Sequence, residues 1–282
     1  MLSCDRRTLP SLEVVPHWRR PKLGQHFLAD SRYRARIVEA LDLRPEDTVI
    51  EIGAGIGALT EILAKRVHRV VAVELDSSLA AKLSEEAAKD ARIEILQADI
   101  LRTNLAQVCQ EHGIQKCFVC GNLPYYITSP ILHHVFGFST WIRGMGFLVQ
   151  REVAKRIIAA PGIRDYGYLS VLVQLYSRPR LVLNVPPGAF VPAPKVQSSL
   201  VMFDMTPRFS NWSEQQIEVF LGFVKDCFAK KRKSLMNNLV KKVHRDSIEA
   251  GLRALGFSPS IRAEQMSIEQ LANLFQRLAL SP

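Results

Sequence analysis

The stretch from Thr48 to Thr60, TVIEIGAGIGALT, decides the fold. A short β-branched run ends in a glycine turn, and the turn opens onto a helical segment that continues through EILAKR. Gly53, Gly55 and Ala58 fit the pattern G-x-G-x-x-G/A, in which glycines permit a tight turn and bring backbone N–H groups close to a ligand. Glu74 stands about twenty residues further on, at the end of the next β-branched run, VVAVEL, where a carboxylate can reach ribose hydroxyls.

Outward from this unit the chain alternates short apolar runs with helical stretches, the grammar of a parallel sheet covered on both faces. RIEILQAD, KCFVCGNLPY and GMGFLVQ supply further strands, and SSLAAKLSEEAAK is a helix with Leu79, Leu83 and Ala87 on one face. RPRLVLNVP and SSLVMF, separated by the proline-rich PPGAFVPAPKVQ, suit an antiparallel finish. Beyond Thr206-Pro207 every run is helical, and each of the four begins at a serine able to cap it: Ser213, Ser234, Ser247 and Ser267. Ser213 with Gln216 and Ser267 with Gln270 have capping-box spacing. The expected organisation is an α/β, Rossmann-like sheet domain over 21–207, a small C-terminal helical domain over 208–282, and a basic N-terminal arm over 1–20.

Lys and Arg number 37 against 27 Asp and Glu, a formal charge of +10 that favours polyanions. The surplus gathers in two places: Arg6, Arg7, Arg19, Arg20, Lys22, Arg32, Arg34 and Arg36 near the start, and Lys230, Lys231, Arg232, Lys233, Lys241 and Lys242 near the end. Each cluster read singly is also consistent with a solvated helix face. Cys117 and Cys120 in CFVC point to opposite faces of a strand and cannot share one ion, so buried thiols and no metal site are expected. The N-terminus has no secretory apolar core, and no run is long enough to span a bilayer; a cytoplasmic protein is expected.

The glycine loop with its acid predicts an adenosine-bearing cofactor but does not separate NAD from S-adenosylmethionine. Asp99, ending ILQAD, can accept a hydrogen bond from an adenine amine or can simply cap the following turn. More specific is GNLPYYITSP, 121–130, at the end of the fourth strand. Its Ser129-Pro130 reads as helix N-cap and first helical residue. An exocyclic adenine amine is a poor nucleophile because its lone pair is delocalised into the ring. Hydrogen-bond acceptors that favour a pyramidal nitrogen activate it, and Asn122 offers a side-chain oxygen for that task. Leu123-Pro124 fixes the local backbone so that a carbonyl can join it, and Tyr125 supplies a flat face for an extruded base.

These segments, with PKLGQHFL (21–28), LVQREVAKRI, DYGYLSVLVQ, FVPAPKVQSS and KKRKSLMNNL, occur in the order that characterises the small-subunit ribosomal RNA adenine N6,N6-dimethyltransferases, and the chain resembles the bacterial branch of that family from Pro21 to the C-terminus. The resemblance implies S-adenosylmethionine as methyl donor and two adjacent adenosines near the 3′ end of 16S rRNA, in a small subunit or its precursor, as substrate. It implies that His26 and Leu28 contact the methionine part of the donor, Gly53 and Gly55 form its loop, Glu74 takes the ribose and Asp99 the adenine. Asn122 then lies between donor and target. Phe190 becomes the second wall of a base sandwich opposite Tyr125, although by its own sequence it reads equally well as a loop anchor. Lys195 and the run Lys230, Lys231, Arg232, Lys233 are expected on RNA, and the enzyme is expected to act as a monomer. His26 stands where bacterial relatives usually have Asn; an imidazole still offers one hydrogen bond. The competing readings are methylation of DNA adenine or of a protein glutamine, a ribosome-assembly factor with secondary methylation, and a dehydrogenase, for which no hydride-transfer site is visible.

Overall fold

A computed structural model describes residues 25–278. The arm over 1–20, with Arg6, Arg7, Arg19 and Arg20, and also Lys22, lie outside the described residues.

β2 (Thr48–Ile52), β3 (Arg69–Glu74), β4 (Ile93–Gln97), β5 (Cys117–Asn122) and β6 (Ile142–Gln150) form a parallel set; β9 (Ser198–Met205) adds antiparallel to β6, and β7 (Ser177–Val185) antiparallel to β9. The resulting seven-stranded sheet has the order β4-β3-β2-β5-β6-β9-β7. A separate two-stranded ribbon pairs β1 (Phe27–Leu28) with β8 (Phe190–Val191), antiparallel, with Leu28 opposite Phe190.

Strand alternation distributes the core onto two faces. Val49, Val70, Ala72, Phe118 and Cys120 pack with α1 (Ser31–Ala40), α2 (Thr60–Ala64), Leu83 of α3 (Ser77–Ala87) and the β1–β8 ribbon. Ile50, Ile52, Val71, Val73, Cys117 and Val119 face the opposite way, against α4 (Leu105–Glu111), α5 (Thr128–Phe136), α6 (Arg151–Ile158) and α7 (Tyr168–Tyr176). The two thiols of CFVC thus enter different clusters.

The chain continues through α8 (Glu214–Cys227), α9 (Leu235–Leu239), α10 (Arg245–Ala254) and α11 (Ile268–Arg277). Phe220, Phe223, Leu252, Leu271 and Phe275 of these helices extend the second cluster without interruption. Ser213 and Ser267 form complete capping boxes with Gln216 and Gln270, and Ser234 accepts from the Asn237 N–H. α10 differs. It begins at Arg245, so Ser247 lies inside its first turn, and Asp246 supplies the negative charge that favours a helix N-terminus. α5 likewise starts earlier than expected, at Thr128, which places Ser129 and Pro130 within the first turn; a proline there loses no helical hydrogen bond. Among the described residues no helix is long and apolar enough to cross a membrane.

Candidate active site

From β2 the chain winds outward through β3 to β4, then crosses back to place β5 on the other side of β2. This reversal opens a crevice at the C-terminal strand ends. A cavity of about 370 Å³ lies there, lined by the ends of β2, β3 and β5, the Asp99 turn and the residues of β1. Because side chains alternate, Glu51, Glu74 and Asn122 share the face of Val49, Ala72 and Cys120 and converge on the cavity.

The glycine loop is held open by its own acid. Gly53 and Gly55 take φ values of 72° and 59°, a region costly for any side chain. The Gly55 N–H donates to Glu74 Oε2 at 2.7 Å, and the Asp76 N–H donates to Oε1 at 2.9 Å. Glu74 therefore fixes the loop while it lines the cavity, and each of its oxygens keeps further accepting capacity. Asp99 caps the Ile100–Arg102 turn through the Leu101 N–H at 3.0 Å, and it also lines the cavity. Glu51 is 2% exposed and accepts from Thr60 Oγ1 at 2.6 Å. Burial pushes its carboxyl up to about 8; the neighbouring Glu74 charge adds to the rise and the Thr60 bond opposes it.

Four acids line the cavity: Glu74, Asp76 and Asp99, and beneath them Glu51, which burial keeps protonated at neutral pH; among the described residues the lining contains no Lys or Arg. Such a surface repels a pyrophosphate and attracts a cation. It suits S-adenosylmethionine, which carries a sulfonium and an ammonium, and disfavours a nicotinamide dinucleotide. His26, Leu28, Gly53, Gly55, Glu74, Asp99 and Asn122 all line this one cavity.

The Asn-Leu-Pro-Tyr segment leaves β5 at the cavity floor. Its preceding glycine has a steric cause absent from the sequence reading: a Cβ on Gly121 would stand 2.2 Å from the Ile52 carbonyl oxygen of β2. Asn122 Nδ2 donates to the His26 main-chain oxygen at 2.9 Å, which turns Oδ1 the other way. That oxygen is buried and has no hydrogen-bond partner among the described residues. Leu123 is fixed by its N–H to Leu148 O at 3.1 Å. The Pro124 carbonyl accepts from the Ile127 N–H and from Thr128 Oγ1, both at 3.2 Å. Tyr125 is pinned at its hydroxyl by Ser198 Oγ, 2.7 Å away, and burial raises its phenol.

Phe190 departs from expectation. Its ring is 2% exposed within the apolar cluster beneath the β1–β8 ribbon, and it does not line the cavity. Pairing of Phe190 with Leu28 draws the side chain inward with Val185, Ala189 and Leu200, so here it is a core anchor and not a free wall. The ring that lies against Tyr125 is His26, with centroids 5.5 Å apart and planes at 26°.

The family description ribosomal RNA adenine dimethylase matches residues 17–280. The chain belongs to the ribosomal RNA adenine dimethylase family. It is 42% identical over 260 residues to the ribosomal RNA small subunit methyltransferase A of Acidobacterium capsulatum, covering 92% of this chain and 91% of the relative. It is 40% identical over 270 residues to the protein of the same name from Koribacter versatilis, with 92% and 94% covered. Among solved structures it is similar to the 23S rRNA methyltransferase ErmE, at TM-score 0.65 and 29% identity over 90% of this chain and 99% of that one. A dimethyladenosine transferase from Plasmodium falciparum shares the fold at TM-score 0.74 and 21% identity, over 90% and 98% of the two chains. The methyl donor of this dimethylase family is S-adenosylmethionine, in accord with the acid-lined cavity.

In the dimethylase Lys195, Lys230, Lys231, Arg232 and Lys233 are all exposed. Lys231 Nζ donates to the Arg164 carbonyl, which ties the α8–α9 connection to the segment before α7. A broader concavity lies there, where Arg151, Lys155, Arg156, Arg164 and Lys231 outnumber Glu152 and Asp165. The α6 cations were not singled out from the sequence, because REVAKR alone looks like an ordinary solvated helix. Glu51 carried a visible signal, a charge inside the apolar strand TVIEI; Ser198 carried none.

Proposed function

We infer that the protein dimethylates N6 of two adjacent adenosines near the 3′ end of 16S rRNA, within a small ribosomal subunit or its precursor. The observation that carries this reading is the Asn122 carboxamide: Asn122 lines a cavity suited to a cationic donor, its nitrogen is committed to His26, and its oxygen is buried with no hydrogen-bond partner among the described residues. A buried acceptor of this kind is costly unless a ligand N–H completes it.

S-adenosylmethionine supplies an electrophilic methyl carbon attached to a sulfonium. Glu74 holds the glycine loop and receives the donor's ribose hydroxyls, and Asp99 accepts from its adenine amine. Asn122 Oδ1 accepts from the target N6–H. Because the Pro124 carbonyl is occupied within its own turn, the Leu123 carbonyl is the main-chain acceptor for the second N6–H. Two acceptors on one amine favour a pyramidal nitrogen, whose lone pair is then free of the ring. Tyr125 supports the base plane.

Residues 21–207 form the catalytic part in this reading, and the helices of 208–282 dock on the rRNA. Lys195, Lys230, Lys231, Arg232 and Lys233, with the basic concavity beside α6, contact phosphates; the cavity selects adenine. The protein acts as a cytoplasmic monomer. The test is to incubate it with labelled S-adenosylmethionine and unmethylated small subunits, then map the modified nucleosides. Two adjacent N6,N6-dimethyladenosines near the 16S 3′ end are expected; label confined to DNA or to a translation factor would overturn the assignment.

A further inference from the structure

His26 is expected, by resemblance, to touch the donor. Its observed contacts point elsewhere. The main-chain oxygen receives Asn122 Nδ2 at 2.9 Å, so it decides which end of the carboxamide is held and which is left without a partner among the described residues. The imidazole stacks on Tyr125 at 5.5 Å between centroids, too close for a base to enter between the two rings. Its Nδ1 lies 2.8 Å from the Pro192 carbonyl oxygen, which can only accept, so Nδ1 carries the proton and donates. Pro192 follows β8, and β8 pairs with the strand that begins one residue after His26. One residue thus ties together the acceptor for the target amine, the aromatic plane and the turn that carries Lys195.

We propose that His26 is a positioning residue for methyl transfer, whose main chain orients Asn122 while its imidazole, anchored on Pro192, covers one face of Tyr125 and leaves the other for the target base. The proposal rests on Asn122 and Tyr125 holding that base. Without the imidazole, Tyr125 loses the ring stacked on one of its faces and keeps the hydrogen bond to Ser198 as a pivot about which it can rock. Displacements near 1 Å at a reacting centre cost up to about 100-fold in rate.

His26→Ala is expected to lower kcat roughly 10- to 100-fold. Its KM for small subunits and its S-adenosylmethionine affinity by calorimetry stay near the parent values. His26→Phe keeps a ring on Tyr125 and is expected to recover most of kcat; His26→Asn keeps a hydrogen-bond donor without the ring and is expected to recover less. A double-mutant cycle with Tyr125→Ala decides whether the effect passes through that residue: adding His26→Ala to Tyr125→Ala should then cost little more. The proposal is overturned if the two losses multiply, if His26→Ala weakens donor binding as much as it slows turnover, or if His26→Ala is fully active while Tyr125→Ala is impaired. Full activity of Tyr125→Ala would instead remove the target-pocket reading itself, and this proposal with it. Thermal melts of each variant separate these outcomes from misfolding.

Discussion

Replacing Glu51 by Gln should change how stability depends on pH. Glu51 lies on β2 between β3 and β5, 2% exposed, with Thr60 Oγ1 on one oxygen and Glu74 and Cys120 as its titratable neighbours. Its carboxyl rises from 4.5 to about 8 in the folded protein, chiefly because burial disfavours the charged form. Between those two values the folded state holds a proton that the unfolded chain has lost, so the slope of stability against pH is negative there. The contribution is fully present below about 4.5, declines as pH rises, and is gone above about 8. At 1.36 kcal/mol per pH unit the change across the window is at most about 5 kcal/mol, comparable with the net stability of many domains. Glutamine reproduces the shape of the protonated acid and can still accept from Thr60, but it does not titrate. Urea unfolding of both proteins at intervals from pH 5 to pH 9 isolates the term, since the other carboxylates contribute equally to each. The parent should lose stability relative to Glu51→Gln as pH rises, and the gap should level off near pH 8 to 9. Parallel curves would show that Glu51 is ionised in the folded protein at neutral pH, and the account of a protonated buried acid would be wrong.

Asn122→Ala is expected to abolish methyl transfer yet leave S-adenosylmethionine binding largely intact, checked by a methylation assay beside calorimetry; unchanged turnover would remove Asn122 from the chemistry. Gly121→Ala puts a Cβ 2.2 Å from the Ile52 carbonyl, so β2 and β5 must separate at the cavity; a loss of about 1–3 kcal/mol or more in denaturant unfolding is expected, together with reduced activity. Exchanging Lys230, Arg232 and Lys233 for Ala together should weaken binding to small subunits and flatten the plot of log affinity against log salt by about 2 units, at roughly 0.7 per phosphate contact, with donor affinity unaffected.

Periodicity and turn chemistry are local, and that is why TVIEI, VVAVE and the glycine loop disclosed the parallel sheet and its crevice before any coordinates. The same locality made Glu74, Asp99 and Asn122 legible, because Glu74 and Asn122 end strands whose alternation is fixed by the backbone and Asp99 follows two residues after β4, all on the cavity side. The capping boxes at Ser213 and Ser267 were readable for the same reason, whereas the start of α10 was not, since its capping context at His244–Asp246 competes with Ser247. What required the tertiary structure was every relation between residues far apart in the chain. Pairing of Leu28 with Phe190 buries a ring that the family resemblance set against Tyr125 and that its own sequence left open as a loop anchor, and the ring found on Tyr125 is that of His26. Gly121 is demanded by a carbonyl on another strand, and the orientation of Asn122 by a main-chain oxygen 96 positions away. Sequence thus determined which chemical groups end the strands; only packing decided which way they point and what holds them there.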